Sequence, residues 1–303
     1  MIVIAGFDAS AGVVDEGIGI EFMGEHRLRD NVTKTTMRTK RKIPTIGLGV
    51  YKSEPGEVTQ GAILAALAVG YRHIDTASIY NNEADVGDAI ADSGLNRSDV
   101  FVTTKVWNED QGYDKTLAAF DLSLETLGLD YVDLYLIHWP VPVLRLDTWR
   151  ALERLTLDGR VRDIGVSNYM ARHLGEILEY APVVPAVNQI ELSPYNYRSR
   201  LETVEMCRKH GIVVEAYSPL TKGRKLDDPV LAEIGGAYGK TPAQVLIRWA
   251  IDQGFVVLAK SIQPGRIAEN YNVFDFSLSS DDMARLDALD EGLATGWDPL
   301  DAP

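Results

Sequence analysis

The feature that most constrains the fold is a regular alternation of short apolar runs with longer amphipathic segments. The runs are rich in β-branched residues and nearly continuous in apolar side chains, which is typical of parallel strands covered on both faces. Eight such runs separated by helical segments predict one closed (β/α)8 barrel, the TIM barrel of the α/β class, rather than an open sheet. The runs lie at 45–50, 72–77, 100–106, 132–139, 161–168, 186–192, 212–219 and 255–261.

The domain organisation follows from the same pattern. Residues 1–36 carry no sustained period, so they are expected to form a disordered or loosely packed tail. No Pro/Ser-rich linker divides the remainder, and residues 37–303 are interpreted as one barrel. Its last segment contains a helical pattern and a Gly/Pro-rich end, which is expected to fold over one mouth of the barrel.

Net charge and cysteine content exclude several classes of function. The 303-residue chain has a formal net charge of −14, which disfavours nucleic acid and anionic membranes as partners. The single cysteine, Cys207, excludes an intramolecular disulfide and a CxxC metal site. No apolar run approaches the ~18–20 residues of a membrane span, and the N-terminal residues are a poor signal peptide. We therefore expect a cytoplasmic protein, and any anionic ligand must be bound by a few local cations.

Three ionisable residues end consecutive predicted strands. Asp75, Lys105 and His138 are separated by 30 and 33 residues, each close to one βα unit, and Tyr80 lies in the loop after Asp75. The strand ends of such a barrel converge on one face, where its chemistry gathers. Further polar residues at strand ends are Ser167, Asn168, Gln189, Tyr217 and Lys260.

Each of these residues also has an ordinary structural interpretation. Asp75 can cap the next helix, Lys105 can extend into solvent, and His138 and Tyr80 can simply be packed side chains. Their joint position on consecutive strand ends favours a shared function. A tyrosine hydroxyl has a free pKa near ~10, and a neighbouring ammonium lowers that pKa by favouring the phenolate. With a carboxylate to hold the lysine and a histidine to orient a substrate oxygen, the set suits protonation of a carbonyl oxygen during hydride addition.

A hydride donor requires a binding site, and the chain contains no GxGxxG motif between a strand and a helix, so a Rossmann domain is not supported. The segment "LAKSIQPGRIAEN" (258–270) offers a different site. It places Lys260 and Ser261 at a strand end and Arg266 near the start of the next helix. Two cations beside a helix N-terminus predict a phosphate site.

From about residue 43 to residue 276, the chain resembles the aldo-keto reductases, a family of NADPH-dependent (β/α)8 barrels. The resemblance rests on several motifs, among them "GYRHIDTASIYNNEADVG", "LGLDYVDLYLIHWP", "IGVSN", "AVNQIELSPY" and "KTPAQVLIRWAIDQG". It is strongest to the small bacterial members that reduce 2,5-diketo-D-gluconate. The resemblance implies reduction of aldehydes and ketones with NADPH bound at the C-terminal ends of the strands.

The resemblance also implies a role for each matching residue. Tyr80 would be the general acid, with Lys105 lowering its pKa, Asp75 paired with Lys105, and His138 orienting the carbonyl. The implied cofactor residues are Ser167, Asn168, Gln189, Tyr217, Ser218, Leu220, Lys260, Ser261, Arg266, Glu269 and Asn270. The implied substrate residues are Tyr51, Trp107, His138 and Trp139. No metal is implied, and a monomer is expected.

Two other classes of function are compatible with parts of this sequence. Potassium-channel β-subunits share this barrel and its catalytic residues, so a nucleotide-sensing interaction protein is one alternative. A barrel hydrolase with Glu191 and Glu215 as paired carboxylates is another. The five histidines are scattered and match no metal-binding spacing. The physiological carbonyl is left open by the sequence.

Overall fold

The structure, a computed structural model, describes residues 42–303, and the predicted tail at 1–36 lies outside the described residues. Within the described part, eight parallel strands form a closed barrel in which neighbours follow chain order and the last strand pairs with the first. The predicted fold class is confirmed. The strands are β1 (Ile46–Gly49), β2 (His73–Asp75), β3 (Phe101–Val106), β4 (Val132–Ile137), β5 (Val161–Ser167), β6 (Val187–Glu191), β7 (Val213–Tyr217) and β8 (Val256–Ala259).

Ten α-helices lie within residues 42–303, and most connect one strand to the next. They are α1 (Glu57–Val69), α2 (Glu83–Asp92), α3 (Tyr113–Leu127), α4 (Arg145–Leu157), α5 (Ala171–Tyr180), α6 (Tyr197–His210), α7 (Pro229–Tyr238), α8 (Pro242–Asp252), α9 (Pro264–Tyr271) and α10 (Ser280–Asp287). Short 3-10 helices occur at Ser78–Tyr80, Arg97–Asp99, Asn108–Asp110, Thr221–Gly223 and Pro299–Asp301.

Local sequence signals explain several helix boundaries. The Thr241 hydroxyl accepts from the Gln244 backbone N–H at 3.3 Å, and the Gln244 side chain accepts from the Thr241 backbone N–H at 3.0 Å. This reciprocal cap, followed by Pro242, starts α8. Helix α3 is capped at its C-terminus by Gly128, which is in the left-handed conformation with a φ of 61° that glycine adopts without a steric penalty.

The interior of the barrel is tightly packed near the N-terminal ends of the strands. A Cβ atom added at Gly47 would lie 2.7 Å from the Leu258 side chain and 2.9 Å from the His73 ring, so β1 requires glycine to close against its neighbours. Nearer the C-terminal ends, the interior becomes polar, because Asp75, Lys105 and Glu215 are all buried there. The interior side chains thus change from apolar to polar toward the end of the barrel that carries the candidate site.

Each predicted apolar run contains one of the observed strands, although the runs extend slightly past the strand ends. As a result, His138, Asn168 and Lys260 lie just beyond β4, β5 and β8, in the loops that follow them. Cys207 is buried in α6, in agreement with a packed side chain. Among residues 42–303, no helix is both long and apolar enough to cross a membrane, and no group of three or more His, Cys, Asp and Glu residues is arranged for a metal ion.

Candidate active site

A cavity of about 970 Å³ opens at the C-terminal ends of the strands. Of the residues predicted for the site, all but Lys105 line this cavity. They are Tyr51, Asp75, Tyr80, Trp107, His138, Trp139, Ser167, Asn168, Gln189, Tyr217, Ser218, Leu220, Lys260, Ser261, Arg266, Glu269 and Asn270. The structure therefore brings together side chains that the sequence distributes over more than 200 residues.

Lys105 lies behind the cavity wall, where it is completely buried. Its Nζ donates to Asp75 Oδ1 at 2.7 Å and to the Thr76 carbonyl at 2.8 Å, and it lies 5.1 Å from the centre of the Tyr80 ring. A buried ammonium is tolerated only with such partners, because an unpaired charge in the interior is strongly unfavourable. Lys105 and Asp75 thus form a buried ion pair against the inner side of Tyr80.

Tyr80 ends the short 3-10 helix after β2, and its ring packs against Tyr51 and His138 at centroid distances of 4.9 and 5.6 Å. Burial raises the pKa of Tyr80 well above its usual value, and the Asp75 carboxylate raises it further. This direction is opposite to the lowered pKa expected from the sequence. The reason is that Asp75 compensates the charge of Lys105, while burial disfavours the phenolate. Tyr80 is consequently a neutral phenol at pH 7.

His138 faces the cavity, and its ring packs nearly perpendicular to that of Trp107, with ring centres 5.2 Å apart. Burial lowers its pKa well below the usual value, and the nearby Lys105 lowers it further, so the imidazole is neutral at pH 7. The Asn168 Nδ2 donates to the His138 carbonyl at 3.0 Å, which fixes the loop after β4. A neutral imidazole carries one N–H that can donate to a substrate oxygen.

The polar residues at the C-terminal ends of β5 and β7 form a connected network. Asn168 Nδ2 also contacts Ser167 Oγ at 3.2 Å, and the Tyr217 hydroxyl donates to Asn168 Oδ1 at 2.8 Å. Asn168 and Ser218 have φ values of 63° and 50°, which are uncommon for residues other than glycine. Strained backbone conformations of this kind concentrate at ligand sites. These hydrogen bonds fix the orientations of side chains that line the cavity.

The two cations predicted for phosphate, Lys260 and Arg266, also line the cavity, near the N-terminus of α9. Lys260 and Arg266 are exposed, and neither forms an ion pair with another residue of the described range 42–303. Desolvation lowers the pKa of Lys260. Two cations that have no carboxylate partner within residues 42–303 and lie next to a helix N-terminus, in a chain of net charge −14, fit a phosphate group.

Several cavity residues were missed by sequence reasoning, notably Lys222 and Trp297. Lys222 Nζ donates to the Thr295 carbonyl at 2.9 Å, and the Trp297 ring lies 4.6 Å from that of Trp139. The sequence suggested that the C-terminal segment covers a mouth of the barrel, but it contains no signal for which side chain reaches the cavity. The buried Arg200, paired with Asp298 at 2.8 Å, holds this segment in place.

The alternative of a paired-carboxylate hydrolase does not match this geometry. Glu191 accepts from the Thr295 backbone N–H at 2.8 Å, and Glu215 is fully buried behind Gln189. Two carboxyls that act on a glycosidic bond must face each other across an open cleft. Only Glu191 of the two lines the cavity.

Comparison with known proteins assigns the family. Residues 45–291 match the family model described as the Aldo/keto reductase family. The chain belongs to the aldo/keto reductase family. An aldo-keto reductase of Mycolicibacterium smegmatis is 52% identical over 268 residues, which cover 88% of this chain and 96% of that protein. A glyoxal reductase of Bacillus subtilis is 49% identical, over 85% of this chain and 93% of that protein.

A solved structure of similar fold carries the cofactor that the sequence predicts. A mutant of the protein Gox0644 in complex with NADPH superposes with a TM-score of 0.80 at 43% identity, covering 86% of this chain and 95% of that one. The predicted family and class of enzyme, an oxidoreductase, are confirmed by this membership, and the NADPH complex agrees with the predicted cofactor. Monomeric state, cytoplasmic location and the individual residue roles stay predictions.

Proposed function

We propose that this aldo/keto reductase catalyses the NADPH-dependent reduction of aldehydes and ketones to alcohols, with Tyr80 as the proton donor. The observation that carries the proposal is the buried Lys105–Asp75 pair behind Tyr80, beside a neutral His138 at the cavity wall. When bound, reduced nicotinamide supplies a hydride to the carbonyl carbon. The Tyr80 hydroxyl gives its proton to the carbonyl oxygen, and the product is the neutral alcohol.

The side chains around Tyr80 have complementary tasks. The neutral His138 donates a hydrogen bond to the carbonyl oxygen and orients it toward the phenol. As the proton leaves, negative charge develops on Tyr80, and the Lys105 ammonium, 5.1 Å from the ring centre, stabilises it. Asp75 holds Lys105 in position and keeps the resting pair electrically balanced. A proton from solvent then restores the phenol.

The remaining cavity residues would bind the dinucleotide along its length. Ser167, Asn168 and Gln189 would hold the carboxamide, and Tyr217 would stack on the nicotinamide ring. Ser218 and Leu220 would lie along the pyrophosphate. The 2′-phosphate would be bound by Lys260, Ser261 and Arg266, with Glu269 and Asn270 at the adenosine end. Tyr51, Trp107 and Trp139 would form the aromatic wall of the substrate site.

The proposal is tested by following the loss of NADPH absorbance with a panel of small carbonyls. Methylglyoxal, phenylglyoxal and substituted benzaldehydes are suitable, because one relative is a glyoxal reductase and the cavity wall is aromatic. We expect turnover with several members of the panel and a single alcohol product for each. Tight binding of NADPH without turnover of any carbonyl would instead favour a nucleotide-sensing role.

Replacement of Arg266 is expected to weaken binding of NADPH selectively. Arg266→Ala removes a charge-assisted contact to the 2′-phosphate, so its Kd for NADPH should rise by about 10- to 100-fold, whereas its Kd for NADH should stay the same. Quenching of tryptophan fluorescence measures both constants. Arg150→Ala, which removes an exposed arginine of α4, is the matched control. An equal rise for both nucleotides would contradict the assignment.

Replacement of Trp297 is expected to change the choice of substrate. Trp297→Ala removes one ring of the Trp139–Trp297 pair, so KM should rise by about 3- to 10-fold for benzaldehydes and little for methylglyoxal, which is too small to use the aromatic wall. Steady-state kinetics with both substrates measures this difference. A uniform change in KM would show that Trp297 has no part in substrate selection.

A further inference from the structure

A buried carboxyl group, Glu215, lies beneath the proposed nicotinamide site and has no part in the function proposed above. It is the third residue of β7, its side chain is completely buried, and its backbone pairs with Gln189 on β6 and Val256 on β8. Its Oε1 has no hydrogen-bond partner within residues 42–303. A fully buried acid with one unsatisfied oxygen requires a physical explanation.

One amide group joins Glu215 to the catalytic array. Gln189 Nε2 donates to Asp75 Oδ2 at 2.8 Å and to Glu215 Oε2 at 3.0 Å. An amide nitrogen has two protons, and here each is directed at a different carboxyl group. The atom of the Gln189 side-chain amide left for a ligand in the cavity is therefore its Oε1, an acceptor suited to the N–H of a carboxamide.

The local charges do not balance if both carboxyls are ionised. The charged groups facing Glu215 are Asp75 from β2 and Lys105 from β3, while β6 contributes the neutral amide of Gln189 and β8 the apolar Val256. Lys105 already compensates Asp75 at 2.7 Å. Burial, with a smaller contribution from the Asp75 charge, raises the pKa of Glu215 to about 8.

We propose that Glu215 is a proton-linked positioning residue that biases the site between the two redox forms of the nicotinamide cofactor. The reduced ring is neutral, and the oxidised ring carries a positive charge. A protonated Glu215 has no charge and favours neither form, whereas an ionised Glu215, one amide away from the ring, attracts the oxidised form. This inference rests on the proposed function, because it requires the nicotinamide to lie against Gln189.

The direction of the effect follows from linkage. As pH rises through the pKa of Glu215, its ionised form becomes populated, and the affinity for NADP+ increases relative to that for NADPH. Conversely, binding of NADP+ lowers the pKa of Glu215 and releases a proton. The contact of Lys260 with the 2′-phosphate would be the same in both redox forms of the cofactor. Its contribution to binding therefore cancels in the ratio of the two dissociation constants.

The contribution of Tyr80 to this ratio of dissociation constants does not cancel, because its phenolate would also attract the oxidised ring. The test therefore uses Tyr80→Phe as the background and compares it with Tyr80→Phe/Glu215→Gln. Dissociation constants for NADP+ and NADPH are measured by tryptophan fluorescence quenching at intervals between pH 6 and 9.5. Burial lowers the pKa of His138 well below its usual value, so its imidazole stays neutral in this range.

In the Tyr80→Phe protein, the ratio of Kd(NADP+) to Kd(NADPH) is expected to fall by roughly tenfold or more between pH 6 and 9.5, as expected for unit charges several ångströms apart in a protein. The ratio should be independent of pH in the double variant, since glutamine keeps the contact with Gln189 but cannot ionise. Tyr80→Phe/Glu153→Gln, which removes a half-buried carboxyl on α4, should behave like Tyr80→Phe.

A ratio that is independent of pH in the Tyr80→Phe protein, or that falls equally with and without Glu215, would overturn the proposal. A second test measures proton release with a pH indicator, and it uses the Tyr80→Phe protein without a further substitution. Binding of NADP+ to Tyr80→Phe at pH 7.5 should release more protons than binding of NADPH, and equal release would also overturn it. A failure of both nucleotides to bind would instead reject the proposed function, so the two failures are distinguishable.

Discussion

Tyr80→Phe is expected to lower kcat for carbonyl reduction by about 10²- to 10⁴-fold, while the Kd for NADPH stays close to that of the wild-type protein. The substitution removes only the hydroxyl, so the ring keeps its packing against Tyr51 and His138. Without the phenolic proton, the carbonyl oxygen must receive its proton from water, although the hydride donor is still in place. The loss should therefore be in the chemical step rather than in binding.

Single-turnover kinetics under saturating NADPH measure this step, and fluorescence quenching measures the affinity. Tyr113→Phe, which removes a hydroxyl from an exposed tyrosine at the start of α3, is the matched control and should retain full activity. Unchanged kcat in Tyr80→Phe would remove Tyr80 from the reaction and leave His138 as the remaining donor among the proposed catalytic residues that line the cavity.

Lys105→Met is expected to lower the free energy of unfolding by about 3–5 kcal/mol, in addition to removing activity. Methionine is similar in length but neutral, so it leaves the buried Asp75 carboxylate without its counter-charge at 2.7 Å. The Thr76 carbonyl loses its donor as well. The double variant Asp75→Asn/Lys105→Met should regain much of this loss, because it no longer buries an uncompensated charge.

Urea unfolding at pH 7 measures these changes, and a full double-mutant cycle separates the coupling of the pair from the effect of each substitution. Arg150→Ala disrupts the Arg150–Asp147 pair, whose side chains are 66% and 54% exposed, and should change stability by less than about 1 kcal/mol. If the double variant lost as much as the sum of the single variants, the buried pair would not act as a unit.

The sequence predicted the barrel because the alternation of strands and helices is a local pattern repeated eight times. It also predicted that Asp75, Lys105 and His138 meet, because consecutive parallel strands end on the same face. The family resemblance supplied roles for the cofactor residues, which no local pattern distinguishes from ordinary loop positions.

The features that could not be predicted from the sequence depend on the register of the strands and on how deeply each side chain is buried. The pairing of Gln189 with Glu215 is set by the alignment of β6 with β7, and the contact between Gln189 and Asp75 joins residues 114 positions apart. The upward direction of the Tyr80 pKa required knowledge of its burial, since the lysine nearby suggested the opposite. The position of Trp297 depends on anchoring contacts such as that of Arg200 with Asp298.

Closure of the barrel by the pairing of β1 with β8 also makes cofactor binding a measure of complete folding. The proposed nicotinamide end draws on β2, β5, β6 and β7 and the phosphate end on the loop after β8, so a partly folded chain would lack one end of the site. A nucleotide that binds only the closed barrel stabilises it by RT ln(1 + [L]/Kd), about 2.7 kcal/mol at a concentration 100-fold above Kd. In a cell, the concentration of the nucleotide would therefore help to set the lifetime of the folded protein.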